Sequence, residues 1–132
     1  MKARVRREMK KLLAEMPADT AAMKSIAACT HLAGLDAWRS ARVVMLYLHI
    51  PGELDLTHAA LAAWQDDKTV CVPKVNLEQQ HMIASEIRSL DSDVSPGAMD
   101  ILEPDGWNPW PIEQIDLLAV PALAFDIDGH RL

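Results

Sequence analysis

The fold is decided by residues 42–56, which read Arg-Val-Val-Met-Leu-Tyr-Leu-His-Ile-Pro-Gly-Glu-Leu-Asp-Leu. The apolar run Val43–Leu48 is typical of a buried central strand, and Pro51 and Gly52 interrupt it soon afterwards. The break leaves Glu53 beyond the strand's carboxyl end, where open α/β sheets bind their ligands. Taken alone, the stretch fits a ligand-facing carboxylate or, more simply, a solvated loop charge.

Composition is typical of a folded, water-soluble domain. The 132 residues suffice for one domain with its own core and are too few for two, so we expect a single domain over 1–132. Half of the residues are hydrophobic and 24% are charged, unlike the composition of a disordered chain. The formal net charge of -6 argues against nucleic acid or an anionic membrane as a general partner.

The cellular compartment is indicated by the two cysteines and by the lack of a targeting segment. Cys29 and Cys71 form no metal or redox motif, as expected of buried thiols in a reducing compartment. No apolar run is long enough to cross a bilayer, and the N-terminus lacks the apolar centre of a signal peptide. The sequence therefore predicts a cytoplasmic protein.

Helices are predicted before the central strand, and a strand–helix–strand unit is predicted around it. The predicted elements are helices over 2–16, from Asp19 or Thr20 to Gly34, and over 36–40; the strand over 43–48; a helix that Thr57 caps and that ends at 65–68; a strand Thr69–Val72 closed by Pro73; and strands over 81–90 and 115–120. Residues 91–112 are predicted to be mostly loop.

A strand, a crossover helix and a second strand predict a parallel sheet. We therefore expect an α/β fold, a three-layer sandwich with a mostly parallel sheet and N-terminal helices. The sequence ends at Leu132, just after a predicted strand and turn. The helix expected to cover that strand does not follow, so we expect the domain to be incomplete at its C-terminus.

Two basic residues of the first helix form a candidate polyphosphate site. Lys2 and Arg6 are four residues apart, which places them on one helical face. Arg binds phosphate through a planar fork and Lys binds it as a point charge. The commoner explanation of such a pair is a solvated basic face.

A second candidate site follows the last predicted strand, at Asp126-Ile-Asp128-Gly129. The pattern resembles the first motif of haloacid-dehalogenase-type phosphatases, in which two Asp residues lie near Mg²⁺. His130 departs from that motif, which normally opens its domain, and Asp and Gly in a tight turn need no catalytic explanation. The five histidines show no paired ligand spacing, so no metal ligand is predicted.

Several short motifs occur in a specific order along the whole chain: Lys2-x-x-x-Arg6, Ser25-Ile26, Tyr47-Leu48 followed by Glu53, Val72-Pro73-Lys74, Met82, Glu103-Pro104, and Asp116 through Val120-Pro121 to Phe125-Asp126-x-x-Gly129-x-Arg131-Leu132. In this order they resemble the 5-formyltetrahydrofolate cyclo-ligase family, also called 5,10-methenyltetrahydrofolate synthetase. The resemblance explains the turn at 126–129 better than a phosphatase does.

The resemblance implies a reaction and the roles of four residues. ATP phosphorylates the formyl oxygen of 5-formyltetrahydrofolate, N10 attacks, and ring closure gives 5,10-methenyltetrahydrofolate, ADP and phosphate, with Mg²⁺ required. By position, Lys2 and Arg6 would contact ATP, and Leu48 and Glu53 would contact the folate. No catalytic residue is assigned. The implied partners are these small molecules, without nucleic acid or membrane, for a monomer or weak homo-oligomer.

One departure from the family pattern concerns the end of the chain. In the family, the Arg-Leu pair is followed by a glycine-rich loop that ends in Tyr-Tyr-Asp and cradles the ATP phosphates. Because the sequence ends at Leu132, we expect these 132 residues alone to show little or no ligase activity. The alternative is a non-catalytic module that binds folate or nucleotide, or that self-associates through its last strand.

Overall fold

Three helices precede the first strand in the computed structural model, which describes residues 1–76, 78, 80–97 and 101–132. The elements are α1 (Lys2–Glu15), α2 (Ala18–Ala33), α3 (Asp36–Ser40), β1 (Val43–Met45), α4 (Thr57–Gln65), β2 (Thr69–Asn76), β3 (His81–Ile87), β4 (Val94–Pro96), β5 (Leu102–Pro104), β6 (Pro109–Trp110), a 3₁₀ turn (Ile112–Gln114) and β7 (Leu117–Leu118).

Five strands form the main sheet in the order β6-β3-β2-β1-β7. Strand β1 pairs in parallel with β2 and β7, whereas β3 is antiparallel to both β2 and β6. All strands of this sheet except β3 therefore run in the same direction, which confirms the predicted α/β class and mostly parallel sheet. Strands β4 and β5 form a separate antiparallel pair.

The two faces of the main sheet bury different clusters, because successive side chains of a strand point to opposite faces. The larger cluster joins Val44 and Val70 to Trp38 of α3 and to the small residues Ala60 and Ala63 of α4, all less than 5% exposed. Small side chains let α4 approach the sheet closely. The smaller cluster contains Val43, Met45, Cys71 and Ala84 of the sheet. The helices α3 and α4 thus pack on one face.

The strands β1 and β7 are shorter than predicted. Strand β1 ends at Met45 rather than at Leu48, although the Leu46 N–H still donates to the Cys71 carbonyl over 2.9 Å. Strand β7 covers Leu117–Leu118 instead of 115–120. Each pairing ends where the chain turns away from the sheet, a boundary that an apolar run does not mark.

Pro73 does not close β2, contrary to the prediction. The strand continues to Asn76, and Pro73 pairs with Ala84 of β3. Because β1 pairs only with residues 69–71 of β2, Pro73 has a neighbouring strand on one side only, the side of β3. Proline is tolerated at such edge positions because no second strand needs its missing N–H.

The predicted helix starts were shifted by one or two residues. Helix α2 begins at Ala18, after Pro17, so neither Asp19 nor Thr20 is its cap. Helix α4 begins at Thr57 itself, and Asp55 accepts the Thr57 N–H at 2.8 Å. The predicted helix ends near Gly34 and within 65–68 are confirmed, since α2 ends at Ala33 and α4 ends at Gln65.

The segment predicted to be loop contains three short strands, β4, β5 and β6. Residues 98–100 of that segment lie outside the described residues. The remainder of the region follows the prediction, with turns and irregular backbone between the strands.

Candidate functional site

A tight turn fixes Glu53 beyond the carboxyl end of β1. The Glu53 N–H donates to the Ile50 carbonyl over 3.0 Å, with Pro51 and Gly52 at the two central positions. Gly52 has φ of 91°, the positive value that a type II turn requires at this position. The Ile50–Glu53 segment is therefore a β-turn that the Pro-Gly pair specifies.

The Glu53 side chain is held by the same turn. Its Oε1 accepts the Ile50 N–H at 3.0 Å. No hydrogen bond to Oε2 is present among the residues that the structure describes. The carboxylate is half-buried, so one oxygen is fixed and the other remains available to a ligand that carries N–H or O–H donors.

Tyr47 lines three cavities, with volumes of about 170, 300 and 660 Å³, and the largest of the three borders this turn. Burial raises the pKa of Tyr47 to about 12, and the negative charge of Glu53 contributes in the same direction. The phenol is therefore neutral at physiological pH. It supplies an O–H donor beside the ring-sized spaces that it lines.

Leu48 lines the two smaller of these cavities. The cavity of about 170 Å³ has mainly apolar walls, to which Leu46, Leu56 and Val70 contribute. The cavity of about 300 Å³ is lined by Pro73, Lys74 and Val75 further along β2, and it shares Leu102 of β5 with the first cavity. Such walls, with few polar groups, are typical of sites for flat organic ligands.

A polar network forms one wall of the smallest cavity. Asp55 Oδ1 accepts the Thr57 hydroxyl at 2.6 Å and lies 3.4 Å from His49 Nδ1. Partial burial raises the pKa of Asp55, but the hydrogen bonds from Thr57 and the nearby His49 and His58 outweigh it, so the net pKa is lowered. The Asp55 N–H donates to Ser25 Oγ over 3.0 Å, which attaches the loop to α2.

Glu53 lines the two larger cavities, of about 700 and 660 Å³. Lys10 and Arg131 contribute positive charge to the first, and Lys24 contributes to the second. Both volumes lie in the range of nucleotide-sized or drug-sized sites. The combination of cations, one acid and apolar walls suits a ligand with both phosphate and ring parts.

The structure brings together two of the four predicted site residues. Leu48 and Glu53 line cavities that share Tyr47 as a wall. Lys2 and Arg6 are exposed on α1 and line none of these four cavities. Lys10, one further turn along the helix, does reach the cavity of Glu53. Contact of Lys2 and Arg6 with ATP therefore stays a prediction.

Asp55, His49 and Lys10 were not singled out from the sequence. The Asp-x-Thr pattern at 55–57 was available as a signal, because a short acidic side chain often bonds the backbone N–H two residues on. Nothing local marks His49 or Lys10, because their roles depend on which cavity their elements border.

The turn at 126–129 has the structure expected of Asp and Gly. Asp126 accepts hydrogen bonds from the His130 N–H at 2.8 Å and from the Asp128 N–H at 3.0 Å, and Gly129 has φ of 85°. The His130 backbone hydrogen bond, above all, holds the pKa of Asp126 below its usual range. The hydrogen bonds and the positive φ of this turn therefore explain why Asp126 and Gly129 occur here, and no catalytic role is needed to explain them.

Among the described residues, the ligand atoms of Asp126, Asp128 and His130 lie within 4.8 Å of one another, close enough for a metal ion. All three side chains are exposed, and Asp126 Oδ2 is 2.9 Å from His130 Nδ1. Mg²⁺ prefers oxygen ligands in octahedral geometry. With both Asp126 oxygens engaged and an imidazole as third member, this set does not fit Mg²⁺.

In the part of the chain that the structure describes, no helix is long and apolar enough to cross a membrane.

Comparison with known proteins gives a family match over the whole chain. The profile of the 5-formyltetrahydrofolate cyclo-ligase family matches residues 1–132. The 5-formyltetrahydrofolate cyclo-ligase of Haemophilus influenzae is 25% identical over 130 residues, which cover 97% of this chain and 70% of that protein.

Two solved structures have a similar fold. The 5,10-methenyltetrahydrofolate synthetase of Aquifex aeolicus matches with a TM-score of 0.83 and 26% identity, over 98% of this chain and 65% of that one. The 5,10-methenyltetrahydrofolate synthetase of Mycoplasma pneumoniae matches with a TM-score of 0.69 and 16% identity, over 99% of this chain and 70% of that one, which shows the fold alone. The chain thus spans between 65% and 70% of the length of these relatives.

Proposed function

The chain belongs to the 5-formyltetrahydrofolate cyclo-ligase family, and on that premise we propose that it serves the ATP-dependent cyclisation of 5-formyltetrahydrofolate to 5,10-methenyltetrahydrofolate, with release of ADP and phosphate. The named relatives are enzymes. The observation that carries the proposal is the placement of Leu48 and Glu53 around Tyr47 beyond the carboxyl end of β1. In this role the protein is a cytoplasmic enzyme of one-carbon metabolism.

The folate part of the site follows from the chemistry of a reduced pterin, which has a flat face and adjacent N–H donors. Leu48 supplies an apolar wall for the face. Glu53 offers the carboxylate oxygen that its own turn leaves unused. A carboxylate that accepts N–H donors forms charge-assisted hydrogen bonds, which are about twice as strong as neutral ones.

The nucleotide part of the site requires positive charge. Lys2, Arg6 and Lys10 recur every four residues on α1, which places them on one face of the helix. Lys10 lies at the cavity of Glu53, and Lys2 and Arg6 extend the positive stripe along the helix. We infer that this stripe attracts the triphosphate and that Lys2 and Arg6 contact ATP.

Mg²⁺ is proposed as the companion of ATP, because phosphoryl transfer from ATP generally uses a metal to neutralise the developing charge. The cluster of Asp126, Asp128 and His130 does not fit it. We infer that this chain binds and orients the two substrates. Holding a formyl oxygen close to the terminal phosphate converts an encounter in solution into a reaction within one complex.

The test of the proposed reaction is ATP-dependent formation of the methenyl-folate chromophore from 5-formyltetrahydrofolate. In a protein with this activity, Lys2→Ala and Arg6→Ala should each raise the KM for ATP several-fold, because each removes one cation near the phosphates. Arg7→Ala is the matched control, since Arg7 is an exposed cation on another face of α1. Because these 132 residues alone are expected to show little or no turnover, concentration-dependent self-association, and not missing turnover, would favour the non-catalytic module. Equal effects of all three substitutions would refute the assigned ATP contacts.

A further inference from the structure

Lys74 of β2 makes an unusual number of contacts with one short segment. Its Nζ donates to the carbonyl oxygens of Pro104, Asp105 and Gly106 over 3.1, 3.4 and 2.7 Å. The ammonium also lies 5.8 Å from the centre of the Trp107 ring, within cation–π range. One side chain thus binds four consecutive residues.

These contacts use all the donors that the ammonium has. A lysine carries three N–H donors and no acceptor, and three carbonyl oxygens lie within hydrogen-bond range. To bind an anionic ligand, Lys74 would have to give up one of these bonds. The geometry therefore points to a role in positioning the segment rather than in contacting a substrate.

The segment that Lys74 holds begins at the last residue of β5, in the small β4–β5 sheet. Pro104 is the last residue of β5 and pairs with Val94 of β4. Asp105 is bonded to β4 through the Ser95 hydroxyl, and its N–H donates to the Asp93 carbonyl over 2.8 Å. Lys74 therefore connects this small sheet to β2 of the main sheet.

The same small sheet forms part of the cavities next to Leu48. Leu102 of β5 lines both the cavity of about 170 Å³ and the cavity of about 300 Å³, and Leu48 lines both as well. Lys74 and Glu103 line the second. Lys74 thus fixes β5 to the main sheet at Pro104, one or two residues beyond Glu103 and Leu102, which line the cavity.

We propose that Lys74 is a positioning residue that holds β5 and residues 104–107 as a wall of the Leu48 cavity, and that it thereby sets the affinity for the folate. The folate part of this inference rests on the proposed function. The positioning part rests only on the contacts of Lys74.

Lys68 provides a matched control, because it makes the same kinds of contact at the other end of β2. Its Nζ donates to the Ala41 carbonyl over 2.6 Å and lies 5.7 Å from the centre of the Trp38 ring. Lys68 lines none of the cavities around Tyr47. Loss of either ammonium removes charge-assisted hydrogen bonds and a cation–π contact, but only Lys74 is next to the proposed folate site.

The experiment compares Lys74→Met and Lys68→Met in the 132-residue chain. Three properties of each variant are measured. They are thermal unfolding, amide hydrogen exchange of β4, β5 and residues 105–107, and equilibrium binding of 5-formyltetrahydrofolate and of ATP. We expect both variants to lower Tm. Only Lys74→Met should speed exchange in this segment and weaken folate binding, by roughly tenfold, with ATP binding unchanged. Lys74→Arg, which keeps the charge and its donors, should restore part of the affinity.

Unchanged exchange in Lys74→Met would overturn the positioning role, and so would an equal loss of folate affinity in Lys68→Met. If the wild-type chain binds no folate, the proposed function and the folate part of the inference both fail. The exchange data then still decide whether Lys74 holds the segment, so the two failures are distinguishable.

Discussion

Glu53 is joined to the backbone of Ile50 by two hydrogen bonds, one through its carboxylate and one through its own backbone N–H. Glu53 Oε1 accepts the Ile50 N–H over 3.0 Å, and the Glu53 N–H donates to the Ile50 carbonyl over the same distance. The acid is therefore held in place before a ligand arrives, which reduces the entropy that a ligand must overcome on binding. Because the turn depends on a glycine with positive φ, the turn itself can be tested.

Gly52→Ala should weaken this turn without disturbing the packing around it. A Cβ at Gly52 would have no atom within 4 Å, so the cost is the strain of φ at 91°, about 1–2 kcal/mol in the free energy of unfolding. Gly34→Ala is the control, because Gly34 has an ordinary φ of -84°. Denaturant unfolding measures the free energy of unfolding of both variants. Equal losses of stability in Gly52→Ala and Gly34→Ala would show that Ala is not strained at position 52.

Tyr47 should titrate near pH 12 in the folded protein. Burial raises its pKa from 10.0 to about 12, and the charge of Glu53 adds to the effect. Tyr47 is the only tyrosine of the chain, so the absorbance of tyrosinate reports this group alone. The midpoint of the tyrosinate titration should be lower in Glu53→Gln than in the wild type. In denaturant, the wild-type midpoint should return to about 10. A native midpoint near 10 would contradict the burial and charge of the site.

The same shift predicts a loss of stability at alkaline pH. A phenol whose pKa is raised on folding stabilises the native state fully below pH 10.0, and this stabilisation is lost as the pH rises towards about 12. Tyr47→Phe cannot ionise, so its free energy of unfolding should change less over this window. If the free energy of unfolding falls equally with pH in the wild type and in Tyr47→Phe, Tyr47 is not the cause of the alkaline loss of stability.

Asp116 should stabilise the start of β1 in a pH-dependent way. Its Oδ2 accepts the Val43 and Arg42 N–H groups, each at 2.9 Å, and these hydrogen bonds lower the pKa of Asp116. The stabilisation is present above the unfolded pKa of about 3.8 and is lost as the pH falls through the lower folded value. Asp116→Asn should therefore unfold more easily at neutral pH, with a smaller difference in acid. Asp66→Asn, an exposed control, should show neither effect.

Both cysteines should resist thiol reagents in the native protein. Cys29 and Cys71 are 3% and 0% exposed. Burial raises the pKa of both thiols, that of Cys71 to about 11, so little thiolate forms at neutral pH. Reagent uptake should be slow until denaturant is added and should then reach two thiols per chain. Rapid labelling of the native chain would contradict the burial of Cys29 in α2 or of Cys71 in β2.

The features that the sequence predicted are those encoded by neighbouring residues. The β1–α4–β2 unit follows from apolar runs and periodicity, and the position of Glu53 follows from the Pro-Gly pair. The buried thiols followed from the lack of any cysteine motif. The extension of β2 through Pro73 was missed because it depends on β3, which pairs with β2 on one side only.

The side chains that the sequence did not reveal act through residues far along the chain. Asp55 bonds Ser25 of α2, and Lys74 bonds residues 104–106, about thirty residues away in each case. Lys10 gains its position from the packing of α1 near the turn of Glu53. No local pattern records such contacts, because the fold alone determines which segments meet.

The most direct test of the central claim is equilibrium binding of 5-formyltetrahydrofolate to the 132-residue chain, compared between Glu53→Gln and Glu113→Gln. Glu113 is an exposed acid in the 3₁₀ turn and borders none of the cavities around Tyr47, so it controls for the loss of one charge. The site described above predicts that Glu53→Gln weakens binding by about tenfold or more, whereas Glu113→Gln binds like the wild type. Wild-type binding that is undetectable, or equal affinities for both variants, would contradict a folate site at Glu53.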